Sequence, residues 1–352
     1  MTKHFARCGF DRRAIIACGL LVGASAALQP FPAQAQDPGA FLKGQTVRFV
    51  VGYSPGGGYD TYARMLGPHF EKRTGATIVV ENKPGGGGTT SLNQLVRTKP
   101  DGLTMQMLNG EGMVMAQLTG RAGVAFDMAK VSILGRVAEE PHFFLVNPKY
   151  PDSLKEIAAS GVKLKFSANS RVDNLGDYAA ITCEALKMNC QIITGYKGSK
   201  EAGLAVMNGE VDALTISESS GITYSSGGKT KIVATLAHKR SELRPDVPTI
   251  YEIFQLAPEQ KWWFDFRLSI KAVGRMVVGP PGIPADRLAY LQKVWQEILT
   301  DPTVIAEAKK ANHGLDYAPA DAVNKSIRES LESLPADRLK AVNEVLFKKF
   351  SS

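Results

Sequence analysis

A glycine-rich turn separates a predicted strand from a predicted helix near the start of the chain. The strand covers residues 47–51 and the helix runs from about Tyr59 to Lys72, with Ser-Pro-Gly-Gly-Gly between them at positions 54–58. Glycine lets the backbone approach a ligand closely, and the N–H groups at a helix start favour an anion. A purely structural turn is the alternative. The pattern matches neither Gly-x-Gly-x-x-Gly nor Gly-x-x-x-x-Gly-Lys-Ser/Thr, so nucleotide binding lacks support.

Further polar or glycine-rich loops follow other predicted strands, at residues 85–88, 109–111, 168–171 and 196–198. In open parallel sheets such loops gather at the carboxyl edge, where ligands bind. We therefore expect these loops to form one binding site.

Catalytic and metal-binding patterns are weak. The histidines beyond the N-terminal segment are dispersed without metal-ligand spacing; they are His69, His142, His238 and His313. No Gly-x-Ser-x-Gly motif is present, and no second carboxylate has a motif-level reason to stand beside Asp60. The sequence therefore predicts a binding protein rather than an enzyme, with no cofactor and no metal.

The elements that position these loops alternate between strand and helix. Strands at residues 47–51, 78–80 and 103–108 with intervening helices predict a parallel sheet covered by helices. The same rhythm returns after residue 143, which predicts two α/β lobes with the second inserted into the first. The expected boundaries are lobe 1 at 36–145, lobe 2 at 146–271, and a return to lobe 1 with C-terminal helices at 272–352. Within them, helices are expected at about 173–186, 285–299 and 320–332.

The N-terminal segment is typical of export. Basic residues through Arg13 precede an apolar run, and Ala33-Gln34-Ala35 ends the segment, which predicts a signal peptide over residues 1–35 cleaved after Ala35. A lipoprotein box ending at Cys18 fits poorly because its apolar stretch is too short, and a twin-arginine route at Arg12 has poorly fitting flanks. We expect a periplasmic protein.

Composition supports a soluble, two-domain protein. The chain has 352 residues, of which 44% are hydrophobic and 22% charged, and its formal net charge is +8. No dense basic stripe with interleaved aromatic residues appears, so nucleic-acid binding is not expected. Cys183 and Cys190 follow the export segment and flank a helix–strand junction, so they form either a local disulfide or two buried thiols.

Several motifs together resemble the Bug family, the substrate-binding proteins of tripartite tricarboxylate transporters. The motifs lie at residues 50–60, 80–88, 99–102, 195–198, 208–212, 243–249 and 279–284 and cover nearly all of the exported part in the family's order. The resemblance implies a type II periplasmic-binding-protein fold, with two α/β lobes around a central ligand cleft. It also implies a small organic carboxylate as ligand, membrane permease subunits as partners and no chemistry on the ligand; we expect a monomer.

The resemblance places binding residues in both lobes. In the first lobe these are Ser54, Pro55, Gly56, Gly57, Gly58, Asp60, Asn109 and Glu111. In the second lobe they are Ala168, Asn169, Ser170, Arg171, Asn174, Tyr196 and Lys197.

Two of these positions depart from the family pattern. Arg171 stands where a small hydroxyl residue is common, and Asn174 where His is common. An arginine holds a carboxylate bidentately, whereas a solvent-facing Arg171 at the rim is the alternative.

The charge near the predicted cleft narrows the ligand class. Glu111 and Glu218 are expected at strand ends that face it, and they would repel a triply charged ligand. The sequence thus favours a receptor for a mono- or dicarboxylate. A sensory receptor that signals to a membrane kinase is the alternative, and an exported enzyme the less favoured one.

Overall fold

The computed structural model describes residues 37–350. The first lobe begins with four strands and three helices. These are β1 (Thr46–Val51), α1 (Gly58–Thr74), β2 (Thr77–Asn82), α2 (Thr89–Leu95), β3 (Thr104–Asn109), α3 (Gly110–Leu118) and β4 (Ser132–Ala138). The second lobe follows in one stretch. It contains β5 (His142–Val146), α4 (Leu154–Ala159), β6 (Leu164–Ala168), α5 (Asn174–Ala185), β7 (Cys190–Thr194), α6 (Ser199–Met207), β8 (Ala213–Ser217), α7 (Glu218–Ser225), β9 (Lys231–Leu236), α8 (Ile250–Ile253) and α9 (Pro258–Ser269).

The chain then returns to the first sheet. This last part comprises β10 (Arg275–Gly279), α10 (Ala285–Leu299), α11 (Pro302–Lys310), α12 (Ala320–Leu331) and α13 (Ala336–Glu344), followed by a π-helical turn at Val345–Lys349. The predicted helix at 285–299 coincides with α10. Its apolar residues recur every three or four positions, which gives the helix one buried face against β4.

Both sheets have five strands and the same plan. The first has the order β2-β1-β3-β10-β4, with β1 parallel to β2 and β3 and with β10 antiparallel to both neighbours. The second has the order β7-β6-β8-β5-β9, with β6 parallel to β7 and β8 and with β5 antiparallel to β8 and β9. The loops after the parallel strands therefore share one edge in each sheet, as the alternating pattern predicted.

The expected boundary after Leu145 is wrong by one strand. β5 pairs with β8 and β9, so the chain leaves the first sheet before His142, through Glu139, Glu140 and Pro141. Asn147, which precedes a proline, closes a turn after β5 instead: its carbonyl oxygen accepts a hydrogen bond from the N–H of Tyr150 at 3.1 Å. A buried apolar strand has no sequence feature that shows which sheet it joins. The turn after β5 was therefore wrongly predicted to be the boundary between the lobes.

The return crossing lies between α9 and β10 and depends on a glycine. Gly274 has a φ of +62°, and a Cβ there would lie 2.5 Å from the carbonyl oxygen of Ala138, the last residue of β4. The return crossing thus passes close to the end of β4, and a side chain at position 274 does not fit.

The C-terminal segment does not stay on the first lobe as expected. α12 packs against β4 and α3, but the residues after α13 pack against α5 of the second lobe. The carbonyl oxygen of Phe350 accepts a hydrogen bond from the N–H of Ile192 in β7, an edge strand. The end of the chain therefore satisfies part of an exposed strand edge.

Cys183 and Cys190 form a disulfide, with their Cα atoms 6.3 Å apart. The bond joins α5 to the start of β7, which confirms one of the two sequence alternatives. Within residues 37–350, no helix combines the length and apolar character needed to cross a membrane. The predicted signal peptide lies outside the described residues.

Candidate functional site

A cavity lies between the two lobes, where the loops after their strands face each other. About 410 Å³ of space not filled by atoms lies between its walls, a volume that includes open solvent. Its walls combine two tyrosines and two aliphatic residues with three asparagines, three serines, a histidine and one charged side chain of each sign. The lining residues are Tyr53, Gly57, Gly58, Tyr59, Asn109, His142, Asn169, Asp173, Asn174, Leu175, Ser199, Ile216, Ser217, Ser220 and Arg275.

The glycine-rich turn before α1 forms one wall. Gly56 has a φ of +83°, and its N–H donates to Oδ2 of Asp60 at 2.9 Å. Asp60 also accepts hydrogen bonds from Arg64 and Asn82. Asp60 is therefore buried under the turn and positions it, and it does not line the cavity.

The lobes touch at this turn. The N–H of Ser54 donates to the carbonyl oxygen of Lys197 at 2.9 Å, and the N–H of Gly58 donates to Oγ of Ser199 at 3.4 Å. A Cβ on Gly57 would lie 2.8 Å from the same Ser199 oxygen. The structure is thus closed here, with the N-termini of α1 and α6 facing each other, and neither has a side-chain cap.

Arg275, the first residue of β10, provides a buried cation on the first-lobe side. Its Nη2 donates to Oε2 of Glu140 at 2.6 Å, and its guanidinium lies over the ring of Tyr59 at 3.8 Å. Burial raises the pKa of Glu140, but Arg275 outweighs that effect and holds the pKa below its usual value. Nε and Nη1 of Arg275 are buried without a hydrogen-bond partner among the described residues. Such donors are costly when empty, so they favour an anionic ligand.

A second buried arginine ties three helices together beside the cavity. Arg267 of α9 donates to Asp177 Oδ1 at 2.8 Å, to Glu111 Oε2 at 2.9 Å and to Asn174 Oδ1 at 3.2 Å. Burial raises the pKa of Glu111 to about 7 even though Arg267 opposes the shift. Glu111 therefore pairs with protein rather than standing open to a ligand.

Asp173 caps α5 on the second-lobe side of the cavity. Its Oδ1 accepts hydrogen bonds from the N–H of Gly176 at 3.0 Å and of Ser170 at 3.4 Å. Its Oδ2 is buried and has no partner within residues 37–350. Burial raises the pKa of Asp173 to about 7. His142 stacks on Tyr178, and burial lowers its pKa well below the usual value, so the imidazole is neutral.

The structure brings only part of the predicted site together. The predicted residues that line the cavity are Gly57, Gly58, Asn109, Asn169 and Asn174. Ser54 and Lys197 instead join the lobes through their backbones, and Pro55 and Gly56 lie at the exposed outer side of the turn. Tyr196 bonds Glu210 through its hydroxyl group.

Other predicted binding residues lie outside the cavity for identifiable reasons. Arg171 points to the end of the chain, and its Nη1 donates to the carbonyl oxygen of Phe350 at 3.0 Å. Glu218 lies outside the cavity, where it accepts a hydrogen bond from Ser241. Ala168 and Ser170 do not line it either, and Ser170 contacts Arg121. A position in a loop after a strand thus does not fix the direction of a side chain.

Two charged residues of the cavity were missed from the sequence. Asp173 had a local signal, since Asp is a favoured N-cap and the helix was predicted to begin near it. Arg275 had none: its burial follows from the insertion of β10 between β3 and β4.

Known proteins resemble this chain in both sequence and fold. Residues 62–333 match the model of the TctC family, described as tripartite tricarboxylate transporter family receptors. A relative from Cupriavidus necator, the UPF0065 protein in the gbd 5' region, is 28% identical over 255 residues, which cover 69% of this chain and 75% of that protein.

Two solved structures share the fold. The periplasmic binding protein BugD has a TM-score of 0.72 at 23% identity, covering 85% of this chain and 97% of that one. MatC from Rhodopseudomonas palustris, solved with bound malate, has a TM-score of 0.71 at 22% identity, covering 85% and 99%. The resemblance seen in the motifs and the two-lobe periplasmic-binding-protein fold are both confirmed. The chain belongs to the tripartite tricarboxylate transporter receptor family, whose members are solute-binding proteins and not enzymes.

Proposed function

We propose that this receptor captures a small mono- or dicarboxylate in the periplasm and delivers it, as a monomer, to membrane permease subunits of a tripartite tricarboxylate-type transporter. The observation that carries the ligand class is Arg275, a buried cation with two unpartnered donors in the cleft. The malate bound to MatC, a protein of the same fold, supports a carboxylate ligand.

The geometry supports a carboxylate held from two directions. Nε and Nη1 of Arg275 point to different sides of the planar guanidinium, so a ligand carboxylate accepts a charge-assisted hydrogen bond from one of them while Nη2 stays on Glu140. The uncapped N-terminus of α1 adds N–H groups and the positive end of the helix dipole from the same lobe. Glu140 balances the charge of Arg275 before a ligand arrives, so a triply charged anion is disfavoured.

The ligand must also be small. The space between the walls of the cavity is limited to about 410 Å³, a volume that includes open solvent. The lobes meet through Ser54 and Lys197, so entry of a ligand requires them to separate. We therefore infer that the two lobes close on the ligand by turning about the crossings at residues 139–141 and 270–274.

The test is binding of succinate, measured by calorimetry, to a double variant in which Arg275→Met is combined with Glu140→Gln. Replacing both partners avoids leaving one buried charge unpaired, so the fold is expected to survive. We expect binding to weaken roughly ten- to hundredfold, the range for a hydrogen bond to a charged group.

Lys200→Met is the matched control, because Lys200 is an exposed cation beside Gly56 at the cleft rim. We expect about a fivefold change or less from it. Wild-type affinity in the double variant, or no binding of any mono- or dicarboxylate by the wild-type protein, contradicts the proposal.

Export is the remaining part of the proposal. Residues 1–35 have the pattern of a cleaved signal peptide. Mass spectrometry of the protein from a periplasmic extract is expected to give an N-terminus at Gln36. A mass that includes residues 1–35 contradicts cleavage.

A further inference from the structure

The second-lobe wall of the cavity carries an acceptor for which the protein provides no donor. Asp173 is 1% exposed, and its Oδ1 is occupied by the backbone of the α5 N-terminus. Its Oδ2 is buried without a partner in the described part of the chain, and the residue lines the cavity. Buried carboxylate oxygens are normally hydrogen-bonded, so this atom calls for an explanation.

The neighbouring polar side chains are already engaged. Asn169 donates to the carbonyl oxygen of Tyr196, and Asn174 bonds both His142 and Arg267. Tyr53 donates its hydroxyl hydrogen to the carbonyl oxygen of Gly87. These side chains are therefore engaged with other parts of the protein, and none of them donates a hydrogen bond to Oδ2 of Asp173.

Arg121, whose charge acts on Asp173, is engaged elsewhere. Its Nη1 donates to the carbonyl oxygen of Gly86 and to Oγ1 of Thr89, at 2.8 and 3.1 Å. Arg121 makes no hydrogen bond with Asp173 Oδ2. Burial outweighs the charge of Arg121 and raises the pKa of Asp173 to about 7.

We propose that Asp173 accepts a hydrogen bond from an ammonium or hydroxyl group of the bound carboxylate, so the ligand is a small amino or hydroxy acid. The inference rests on the proposed function and narrows it. Arg275 on the first lobe holds the carboxylate, and Asp173 on the second lobe holds the donor. A ligand that carries both groups bridges the lobes, whereas a plain carboxylate leaves the acceptor unfilled.

The experiment compares ligands that differ in one substituent. Succinate, malate and aspartate share four carbons, and propionate, lactate and alanine share three; each series carries hydrogen, hydroxyl or ammonium at one position. We expect the wild-type protein to bind a hydroxyl or ammonium member roughly ten- to hundredfold more tightly than its unsubstituted analogue. The member that gains most distinguishes an amino acid from a hydroxy acid.

Two variants test whether Asp173 is responsible. Asp173→Asn keeps a capping oxygen but places a donor where the free acceptor was, and Asp173→Ser keeps only the cap. In both variants we expect the preference to be lost, so that the affinity ratio within each series falls to about one. Thermal unfolding of each variant confirms that it is folded.

The outcomes separate the two proposals. Equal affinity of the wild-type protein within both series, or a preference that survives in both variants, overturns the role of Asp173 and leaves the carboxylate receptor standing. Failure of the wild-type protein to bind any member of either series overturns both proposals.

Discussion

Gly57 stands where the two lobes meet and leaves no room for a side chain. Replacing it with valine would place a Cβ 2.8 Å from Oγ of Ser199 and further methyl groups into the cleft. The backbone at position 57 is extended, with a φ of −89°, so valine adopts it without strain. We therefore expect Gly57→Val to lower carboxylate affinity at least tenfold, as measured by calorimetry, with little change in the thermal midpoint of the unliganded protein.

Gly227→Val is the control for this substitution, because Gly227 is exposed and a Cβ there meets no atom within 4 Å. It is expected to bind as the wild-type protein does. Unchanged affinity in Gly57→Val would mean that the ligand does not lie against this turn.

Asp173 also makes stability depend on pH. Burial raises its pKa from 3.8 to about 7, so the folded protein holds the proton more tightly than the unfolded chain does. The stabilisation is complete below about pH 4 and is lost as the pH rises through about 7. The unliganded wild-type protein should lose unfolding free energy over this window, and Asp173→Asn should lose less.

Urea denaturation at several pH values within that window measures the difference between the two proteins. The pKa of Glu111 is also raised to about 7, but this residue is present in both, so its contribution cancels. Identical slopes for the two proteins would show that burial does not raise the pKa of Asp173 in the folded protein.

For single residues, the glycines that line the cavity were predicted from the sequence, whereas its charged side chains were not. Gly57 and Gly58 were predicted because a turn before a helix needs little more than local pattern. Arg275 and Arg171 show the limit. The first becomes buried through a long-range strand insertion, and the second is drawn to the carbonyl oxygen of Phe350, 179 residues away.

Among the secondary-structure elements, the C-terminal segment gives Arg171 its role. Nη1 of Arg171 donates to Phe350, whose carbonyl oxygen also receives the N–H of Ile192 in the edge strand β7. We expect Arg171→Ala to lower the free energy of unfolding by about 1 kcal/mol, the net value of a hydrogen bond, and to leave carboxylate affinity unchanged. Chemical denaturation and calorimetry on the same sample measure both. A loss of affinity at unchanged stability would place Arg171 in the cleft after all.

Helices with one apolar face were predictable, and a helix buried on several faces was not. α10 was predicted with its observed bounds because its buried residues recur on one side. α9 was not predicted. Its buried residues Trp263, Phe264, Phe266, Arg267 and Leu268 follow almost without interruption and blur the helical period.

For the whole molecule, the two-lobe architecture could be predicted from the sequence because both lobes repeat a similar alternation of strands and helices. The positions of the two crossings could not be predicted, since they depend on which sheet β5 and β10 join. Those crossings also decide the chemistry: Glu140 lies in the first, and Arg275 directly follows the second. If the lobes close as proposed, the cation and its partner lie at the crossings about which they turn, and we expect ligand binding and closure to be coupled through them.

A crystal structure with the tightest-binding acid of the two series would test whether Arg275 holds a ligand carboxylate between the lobes. We expect a carboxylate oxygen about 2.7–2.9 Å from Nε or Nη1 of Arg275, the usual length of such charge-assisted bonds, with Nη2 still on Glu140. A bound acid whose carboxylate lies elsewhere, with Nε and Nη1 of Arg275 unfilled or occupied by water alone, would contradict it.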